Sequence, residues 1–372
     1  MTTDKIRRIA VNTGGGDAPG LNAVLRAIVL SSIRRGWEVI GIQKGYAGLL
    51  DTSKIETLDH GRVRGITHLG GTILGTANKG DPFEMPMKLP DGTETTIDRS
   101  DELVENFHRL GLDAIIAIGG DGSMRIAHRL AEKGIPIVGV PKTIDNDLAG
   151  TVVTFGFDTA VMVATEAVGR LHSTAEAHER VFTVEVMGRY AGWIALHSAI
   201  AGGADVALIP EIPFDIDVVC RKIMSREARG RRFSLVVVAE GARPIGGEMV
   251  TRGPKELGRE IRLGGCAEQV ADQITDRTGK ETRTVVLGHL QRGGTPTARD
   301  RVLALRFGAA AVRVLAEGQS DVMVALDPPL VKTVPLTEAT SRMKTVPLDS
   351  DTVFTARELG ICLGDDWEGA NY

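Results

Sequence analysis

The chain has 372 residues, of which 42% are hydrophobic, so it is long enough to form two domains with buried cores. Its formal net charge of -4 excludes a general affinity for nucleic acid, which requires a strongly basic surface. Any anion site must therefore be formed locally, by a few residues.

The first residues, the apolar segments and the cysteines restrict the class of protein further. Residues 1–8 are polar and charged and lead directly into a predicted strand, and the most apolar helix candidate, residues 23–33, is too short to span a bilayer. Cys220, Cys266 and Cys362 are widely spaced and odd in number, so neither a disulfide framework nor a zinc site is indicated. We therefore expect a cytoplasmic protein that does not bind membranes.

Short apolar runs alternate with helical patterns along the first half of the chain, which is typical of βαβ units and a mostly parallel sheet. Ser100 is the expected N-cap of one helix, because two acidic residues follow it in the first turn. The predicted elements are a strand at 9–13, a helix at 21–35, a strand at 38–42, a helix from 100 to 111, a strand at 114–118, a helix at 125–133 and a strand at 135–140.

A second alternating series after about Phe157 predicts a second domain. Its elements are a helix to residue 172, a strand at 181–186, a helix to 201, a strand at 206–209, a helix to 228 and a strand at 234–240. Residues 241–258 are rich in Gly and Pro and are predicted to form a loop or insertion. The expected fold class is α/β, with two doubly wound domains and an active site in the cleft between them.

Three turns that carry glycine or carboxylate residues follow predicted strands: GGGDAPG at 14–20, GGDGS at 119–123 and PKTIDND at 141–147. Glycine lets backbone N–H groups approach phosphate oxygens, and a helix N-terminus favours their negative charge. One carboxylate beside such turns can hold Mg²⁺, and another can accept a proton from an attacking hydroxyl. Together the turns predict a phosphoryl-transfer site.

These signals differ in specificity. The first turn matches neither the GxGxxG nor the P-loop spacing, so by itself it can be an ordinary strand-to-helix turn. The TIDND segment is the most specific, because an N-cap explains one aspartate but not two together with the amide. Cations that could neutralise phosphates, each with an alternative interpretation as a surface residue, are Arg180, Arg189, Arg283, His289 and Arg292.

Seven motifs together resemble the phosphofructokinase family. They are GGDAPGLN, GGTILGT, GGDGS, TIDND, EVMGRYAGW, VAEGA and LGHLQRGG, which occur in the family's order between residues 15 and 294. The resemblance implies a glycolytic enzyme that transfers phosphoryl from ATP, with Mg²⁺, to the 1-hydroxyl of fructose 6-phosphate. It also implies that residues 1–156 and about 291–341 bind the donor, that residues 157–290 bind the sugar phosphate, and that residues 342–372 form a C-terminal extension.

The resemblance assigns roles to individual residues. It implies Asp145 as the general base, with Thr143 and Asp147 in the same loop and Arg189 near the transferring phosphoryl. The implied donor-binding residues are Gly15, Gly16, Asn78, Lys79, Asp121, Gly122 and Ser123, with Asp121 as the metal ligand. The implied substrate-binding residues are Arg180, Met187, Gly188, Arg189, Glu240, Arg283, His289 and Arg292. Because Arg180 and Arg283 match arginines that come from a neighbouring subunit, the resemblance implies a homodimer or homotetramer with shared active sites.

The donor is the open question, because the chain is a hybrid of the ATP-type and pyrophosphate-type branches. Pyrophosphate-dependent relatives carry an aspartate where this chain has Gly122, and that charge would repel the α-phosphate of a nucleotide. Lys142 and the Gly192-Trp193 pair instead resemble the pyrophosphate-dependent or mixed branch, and Lys79 stands where an arginine of the ATP enzymes contacts the donor. We expect ATP, with a pyrophosphate-dependent fructose 6-phosphate 1-phosphotransferase as the alternative.

Two other classes compete with these. A non-catalytic sugar-phosphate sensor would not need Asp121, Asp145 and Asp147 all intact. Diacylglycerol-type and NAD kinases also carry a GGDG turn, but they lack the TIDND and LGHLQRGG partners present in this chain.

Overall fold

A computed structural model describes residues 6–77, 80–253 and 262–366. In these ranges the strands are β1 Arg8–Thr13, β2 Glu38–Ile42, β3 Ile55–Thr57, β4 Met85–Lys88, β5 Glu94–Ile97, β6 Ala114–Gly119, β7 Ile137–Thr143, β8 Phe155–Gly156, β9 Val181–Val186, β10 Val206–Leu208, β11 Ser234–Ala239, β12 Thr282–Val286, β13 Val322–Asp327 and β14 Leu330–Pro335. The α-helices are α1 Leu21–Ile33, α2 Ala47–Leu50, α3 Ser100–Arg109, α4 Asp121–Glu132, α5 Phe157–His178, α6 Trp193–Gly202, α7 Ile216–Ala228, α8 Cys266–Thr278, α9 Ala298–Ala316, α10 Leu336–Ser341 and α11 Asp351–Glu358.

The first sheet has the order β14-β13-β7-β6-β1-β2-β3, and β8 pairs with the end of β7. Its five central strands are parallel, while β3 and β14 are antiparallel edges. Alternate residues of β1 enter different cores: Ile9 and Val11 pack with α1, whereas Ala10 packs on the opposite face. Because both faces are covered by helices, the central strands are apolar on both sides, as a doubly wound sheet requires.

The second sheet has the order β10-β11-β9-β12, and its strands are all parallel. Here β9, β10 and β11 are buried on both faces, since Val184 and Val237 join the large core while Val181 and Val236 join a separate cluster, whereas the edge strand β12 is partly exposed. The predicted α/β class with mostly parallel sheets is therefore confirmed. A small antiparallel hairpin of β4 and β5 lies apart from both sheets.

The chain returns to each sheet late in its sequence. After the second sheet, α9 packs on α1, and β13 joins β7 through the pairs Val322–Val138 and Met323–Gly139. The following segment then pairs Cys362 with Val206 of the second sheet. Residues of the predicted C-terminal extension thus contribute to the second sheet.

Several element boundaries differ from the predictions. The helix predicted at 21–35 ends at Ile33, the helix predicted from residue 125 already begins at Asp121, and the helix predicted to end at residue 172 continues to His178. Ser100 is not an N-cap: it is the first residue of α3, and the Asp98 carboxylate accepts its backbone N–H at 2.8 Å. The Asp98 carboxylate, two residues before Ser100, therefore accepts the first N–H of the helix, and the N-cap position is occupied by Arg99.

Within the described ranges, no helix combines the length and the apolar character needed to cross a bilayer. Cys220, Cys266 and Cys362 are all free and buried.

Candidate active site

The three predicted turns meet at one edge of the first sheet. They follow β1, β6 and β7, which are adjacent parallel strands, and the Gly14 N–H donates a hydrogen bond to the Ile118 carbonyl at 2.8 Å. A Cβ placed on Gly14 would lie 2.5 Å from the Ser123 hydroxyl oxygen and 3.3 Å from Ser123 Cβ, so a larger residue would force Ser123 to shift. The first turn is therefore packed against the second rather than being an isolated strand-to-helix connection.

Lys142 lies under this edge, with 3% of its surface exposed. Its ammonium donates a hydrogen bond to the Gly16 carbonyl. Burial lowers the pKa of Lys142 to about 8, and the nearby Arg292 guanidinium acts in the same direction, while neighbouring carboxylates oppose the change. A buried cation thus connects the strand before the TIDND loop to the first glycine turn.

Asp145 is the exceptional carboxylate of the site. Its Oδ1 atom is buried without a hydrogen-bond partner, although its backbone N–H is held by the Thr143 hydroxyl at 3.1 Å. Burial, together with the charge of Asp147, raises the pKa of Asp145 from 3.8 to about 7, against the opposing effect of Arg292. An unpartnered carboxylate oxygen with a pKa near neutrality is suited to accept a proton.

The rest of the TIDND loop is fixed by hydrogen bonds. Asn146 has the left-handed φ of 54°, and its Oδ1 accepts from the Thr154 N–H at 3.2 Å and from the Lys344 ammonium at 2.7 Å. Burial raises the pKa of Asp147, while hydrogen bonding from its own backbone and from the Thr143 side chain, and the charge of Lys344, act against it. The loop therefore presents two half-buried carboxylates held by a rigid backbone.

A second group of predicted residues lies at the carboxyl ends of β9 and β11. Burial raises the pKa of Glu240, while the Arg189 charge and, to a smaller extent, the Gly188 backbone N–H act against this shift. Gly188 has a φ of 137°, and a Cβ there would lie 2.8 Å from the Ala191 carbonyl. Met187 packs partly against the core. This edge of the second sheet is close enough to the TIDND loop for Glu240 to influence Asp145.

Arg292 and His289 belong to one motif but occupy different surroundings. Arg292 donates from Nη1 to the Asp17 carbonyl at 3.0 Å, so it contacts the first glycine turn. His289 is exposed, in a 3-10 helix of residues Gly288–Arg292. Within one chain the structure therefore places Arg292 between the two groups of site residues.

Arg180 and Arg283 lie at the opposite end of the second sheet. Arg180 directly precedes β9 and forms an ion pair with Glu281 at 2.7 Å, and Arg283 contacts the same carboxylate. Since β9 and β12 run parallel, with Thr282 beside Val181 and Val286 beside Glu185, both arginines are separated from the Met187 end by the length of a strand. At ~3.3 Å per residue that length is roughly 20 Å. One chain alone does not bring these two arginines to Glu240.

The remaining donor residues lie at the start of α4. Asp121 is its first residue, and its Oδ2 is 2.6 Å from Arg125 Nη2. Gly122 is exposed, and a Cβ built on it meets no atom within 4 Å. Gly15 has a φ of 72° and faces the Lys142 ammonium. Asn78 and Lys79 lie outside the described residues.

Two features of the site were not predicted from the sequence. Asn22 is 2% exposed, and its amide donates to the carbonyls of Leu69 and Gly70 and accepts from the Ile73 N–H, which fixes the GGTILGT segment beside the first turn. Lys344 reaches the TIDND loop from residues assigned to a C-terminal extension. Asn22 is the last residue of the GGDAPGLN motif, so the sequence did contain a signal for it. No motif includes Lys344.

The fold and the site together define a phosphotransferase of the α/β class. Glycine turns at helix N-termini offer backbone donors to phosphates, buried cations balance their charge, and a carboxylate pair is available for proton transfer and metal binding.

Comparisons with known proteins identify the family. The phosphofructokinase family model matches residues 8–315. The chain is 53% identical over 363 residues to an ATP-dependent 6-phosphofructokinase of Chloroflexus aurantiacus, covering 97% of this chain and 99% of that protein. It is 50% identical over 344 residues to a pyrophosphate–fructose 6-phosphate 1-phosphotransferase of Amycolatopsis mediterranei, covering 92% and 97%. The phosphofructokinase structure from Pichia pastoris superimposes with a TM-score of 0.77 at 32% identity, covering 91% of this chain and 36% of that longer one. The chain belongs to the phosphofructokinase family.

Proposed function

We propose that the chain transfers the terminal phosphoryl group of ATP to the 1-hydroxyl of fructose 6-phosphate, which gives fructose 1,6-bisphosphate and ADP in glycolysis. Support comes from the names of relatives at 50% and 53% identity, which are ATP-dependent 6-phosphofructokinases. The single observation that carries the mechanism is the buried, unpartnered Oδ1 of Asp145, whose pKa is raised to about 7.

On the donor side, we assign the phosphates to the backbone of Gly15 and Gly16 and to the start of α4 at Asp121, Gly122 and Ser123. These residues adjoin one another around the first two turns, where helix N-termini favour anions. Family members generally need a divalent metal, and we propose Mg²⁺ held by Asp121. One carboxylate fits this role, because Mg²⁺ is usually held by one or two carboxylates plus substrate phosphates and water. When bound, the ion neutralises charge on the phosphates.

On the acceptor side, we assign the sugar phosphate to residues around β9, β11 and the LGHLQRGG motif: Met187, Gly188, Arg189, Glu240, His289 and Arg292. Asp145 would take the proton of the attacking hydroxyl, with Thr143 fixing its backbone. Asp147 raises the pKa of Asp145, and Arg189 contributes positive charge opposite Glu240. In this division residues 1–156 and about 291–341 bind the donor, and residues 157–290 bind the sugar phosphate.

We further propose an oligomer with shared sites, either a dimer or a tetramer, in the cytoplasm. Arg180 and Arg283 are placed together by Glu281 at the strand end opposite Glu240, so they can serve a sugar phosphate only in another subunit.

The second candidate is the pyrophosphate-dependent reaction, which Lys142 and the relative in Amycolatopsis mediterranei favour. The test is an assay of the purified protein with fructose 6-phosphate and Mg²⁺, in which the kcat/KM for ATP is compared with that for pyrophosphate. Higher kcat/KM with ATP supports the proposal, higher kcat/KM with pyrophosphate establishes the alternative, and no turnover with either donor rejects both.

A further inference from the structure

A short segment near the end of the described chain, residues 343–346, contacts both groups of site residues. Met343 forms an antiparallel bridge with Leu148, and the Lys344 N–H donates to the Asp147 carbonyl at 2.8 Å. The segment therefore lies directly against the TIDND loop. We refer to residues 343–346 as the clamp segment.

The Lys344 side chain makes the strongest of these contacts. Its ammonium donates three hydrogen bonds, to Asn146 Oδ1 at 2.7 Å and to the carbonyls of Thr151 and Val152 at 3.0 Å each. Three acceptors use all three N–H donors of a lysine, so the ammonium has no donor left for a substrate phosphate. Lys344 is thus engaged with the protein and not positioned as a substrate ligand.

The other side of the clamp segment is attached to the second sheet. The Trp193 indole N–H donates to the Lys344 carbonyl at 3.2 Å, and the Val346 N–H donates to Glu211 Oε1 at 2.7 Å. The same Glu211 carboxylate accepts the Gly192 N–H at 3.0 Å. Gly192 is the N-cap residue of α6, which begins at Trp193 and follows the loop that carries Gly188 and Arg189. The clamp segment therefore joins the loop of the base to the loop of the sugar site.

We propose that Lys344 is a positioning residue for phosphoryl transfer, which holds the TIDND loop in register with the Gly188–Arg189 loop across the two sheets. This inference rests on the proposed role of Asp145 as base. Residue 146 has a left-handed φ, so the loop conformation depends on the contacts that fix its amide. Without the ammonium, Asn146 Oδ1 and the carbonyls of Thr151 and Val152 lose a donor, and Asp147 loses a favourable positive charge.

The test compares Lys344→Met with Lys344→Arg and with the control Lys332→Met. Lys332 lies on β14, and its exposed ammonium pairs with Asp327 at 3.1 Å. We expect Lys344→Met to lower kcat by about 10-fold to 100-fold, with KM for both substrates changed by less than about threefold, because a small misplacement of reacting groups costs rate rather than binding. Lys344→Arg is expected to recover part of the loss, and Lys332→Met to behave like the unaltered protein.

Hydrogen exchange gives an independent readout, in which Lys344→Met should speed amide exchange in residues 143–154 more than elsewhere. If Lys344→Met proves insoluble, Trp193→Phe gives the decisive measurement, because it removes the indole N–H that holds the Lys344 carbonyl while keeping an aromatic ring against the core. Reduced kcat with unchanged KM in that variant supports the inference. An unchanged kcat in soluble Lys344→Met, or in Trp193→Phe, overturns it.

An Asp145→Asn variant in the same assay separates this inference from the proposed base. A normal kcat in Asp145→Asn rejects the assignment of Asp145 as base, and the proposed positioning role of Lys344 is then rejected as well. If Asp145→Asn is inactive while Lys344→Met is fully active, the proposed role of Lys344 is rejected and the assignment of Asp145 as base stands.

Discussion

The Lys142 ammonium donates a hydrogen bond to the carbonyl of Gly16. This lysine, which resembles the residue of the pyrophosphate-dependent branch, is therefore held by the backbone of the first glycine turn. The cation is buried, and its position is set by the protein before any donor binds. An ammonium is a single-point cation without the fixed fork of a guanidinium, so it can accommodate either phosphate donor. We therefore expect the choice of donor to depend more on Gly122 than on Lys142.

Replacing Asp145 with asparagine or serine is expected to lower kcat by roughly 10²–10⁴ while substrate binding persists. Either substitution removes the proton acceptor and leaves the Thr143 contact to the backbone N–H intact. Steady-state kinetics and isothermal titration with fructose 6-phosphate measure the two effects separately. A variant with nearly normal kcat would exclude Asp145 as the base.

The pH dependence of kcat/KM is expected to be a narrow bell. Asp145 acts only when deprotonated, so activity falls as the pH drops through its pKa of about 7. Lys142 balances phosphate charge only when protonated, so activity also falls as the pH rises through its pKa of about 8. Rate measurements between pH 5 and pH 10 with ATP saturating check both limbs, and Lys142→Arg should move the high-pH limb upward. A flat profile across this range would contradict both assignments.

Asp145→Asn is also expected to stabilise the fold, and more so at high pH. The folded protein raises the pKa of Asp145 from 3.8 to about 7, so between these values the folded state binds the proton more readily than the unfolded state. Stability then falls as the pH rises through this window, because the unfolded state releases the proton first. Asparagine carries no charge, so the gain in Tm over the unaltered protein should be larger at pH 8 than at pH 5. An equal gain at both pH values would mean that the carboxylate is not strained by burial.

Gly122→Asp is expected to reduce kcat/KM with ATP by about 10²–10³. The added Cβ meets no atom within 4 Å, so the fold tolerates the side chain and the effect is one of charge. Two like charges ~4 Å apart at an effective dielectric of ~20 repel by about 4 kcal/mol before any discount for Mg²⁺. The matched control is Gly122→Asn, which has the same shape without the charge and should retain most ATP activity. An equal loss in both variants would point to steric exclusion instead.

Hybrid oligomers should test the shared site. Chains carrying Arg283→Ala and chains carrying Asp145→Asn are each expected to be nearly inactive, whereas a mixture should recover activity because some sites combine an intact Asp145 with an intact Arg283. Arg277→Ala is a suitable control, since Arg277 pairs with Asp217 at 2.9 Å and has no assigned role at the site. No recovery in hybrids verified by native mass spectrometry would argue against sharing.

Much of this architecture follows from local sequence. The alternation of apolar runs and helical patterns predicted the strands that carry the three turns, and strand direction alone placed Asp121 and Asp145 at one edge. The edge strands β3 and β14 and the β4–β5 hairpin were not predicted, because they are partly exposed and lack a continuous apolar pattern; β3, β4 and β5 are also only three or four residues long.

Contacts across long separations were the hardest to predict. Arg292 contacts Asp17 although 275 positions separate them, and Lys344 contacts Asn146 across 198 positions. Such pairs are set by how the two sheets pack, which no local periodicity encodes. The pKa of Asp145 likewise depends on burial by several elements and not on the TIDND motif itself.

The late return of the chain to both sheets has a consequence for biosynthesis. Strand β7 has no partner on its β13 side until residues 322–327 have been made, and the TIDND loop at its end lacks its lysine until residue 344 follows. The nascent chain therefore carries an unpaired apolar strand edge from residue 143 until residue 322 has been made, and neither sheet can be completed as an independent early unit. Pairings this distant in sequence make slow folding the expected cost.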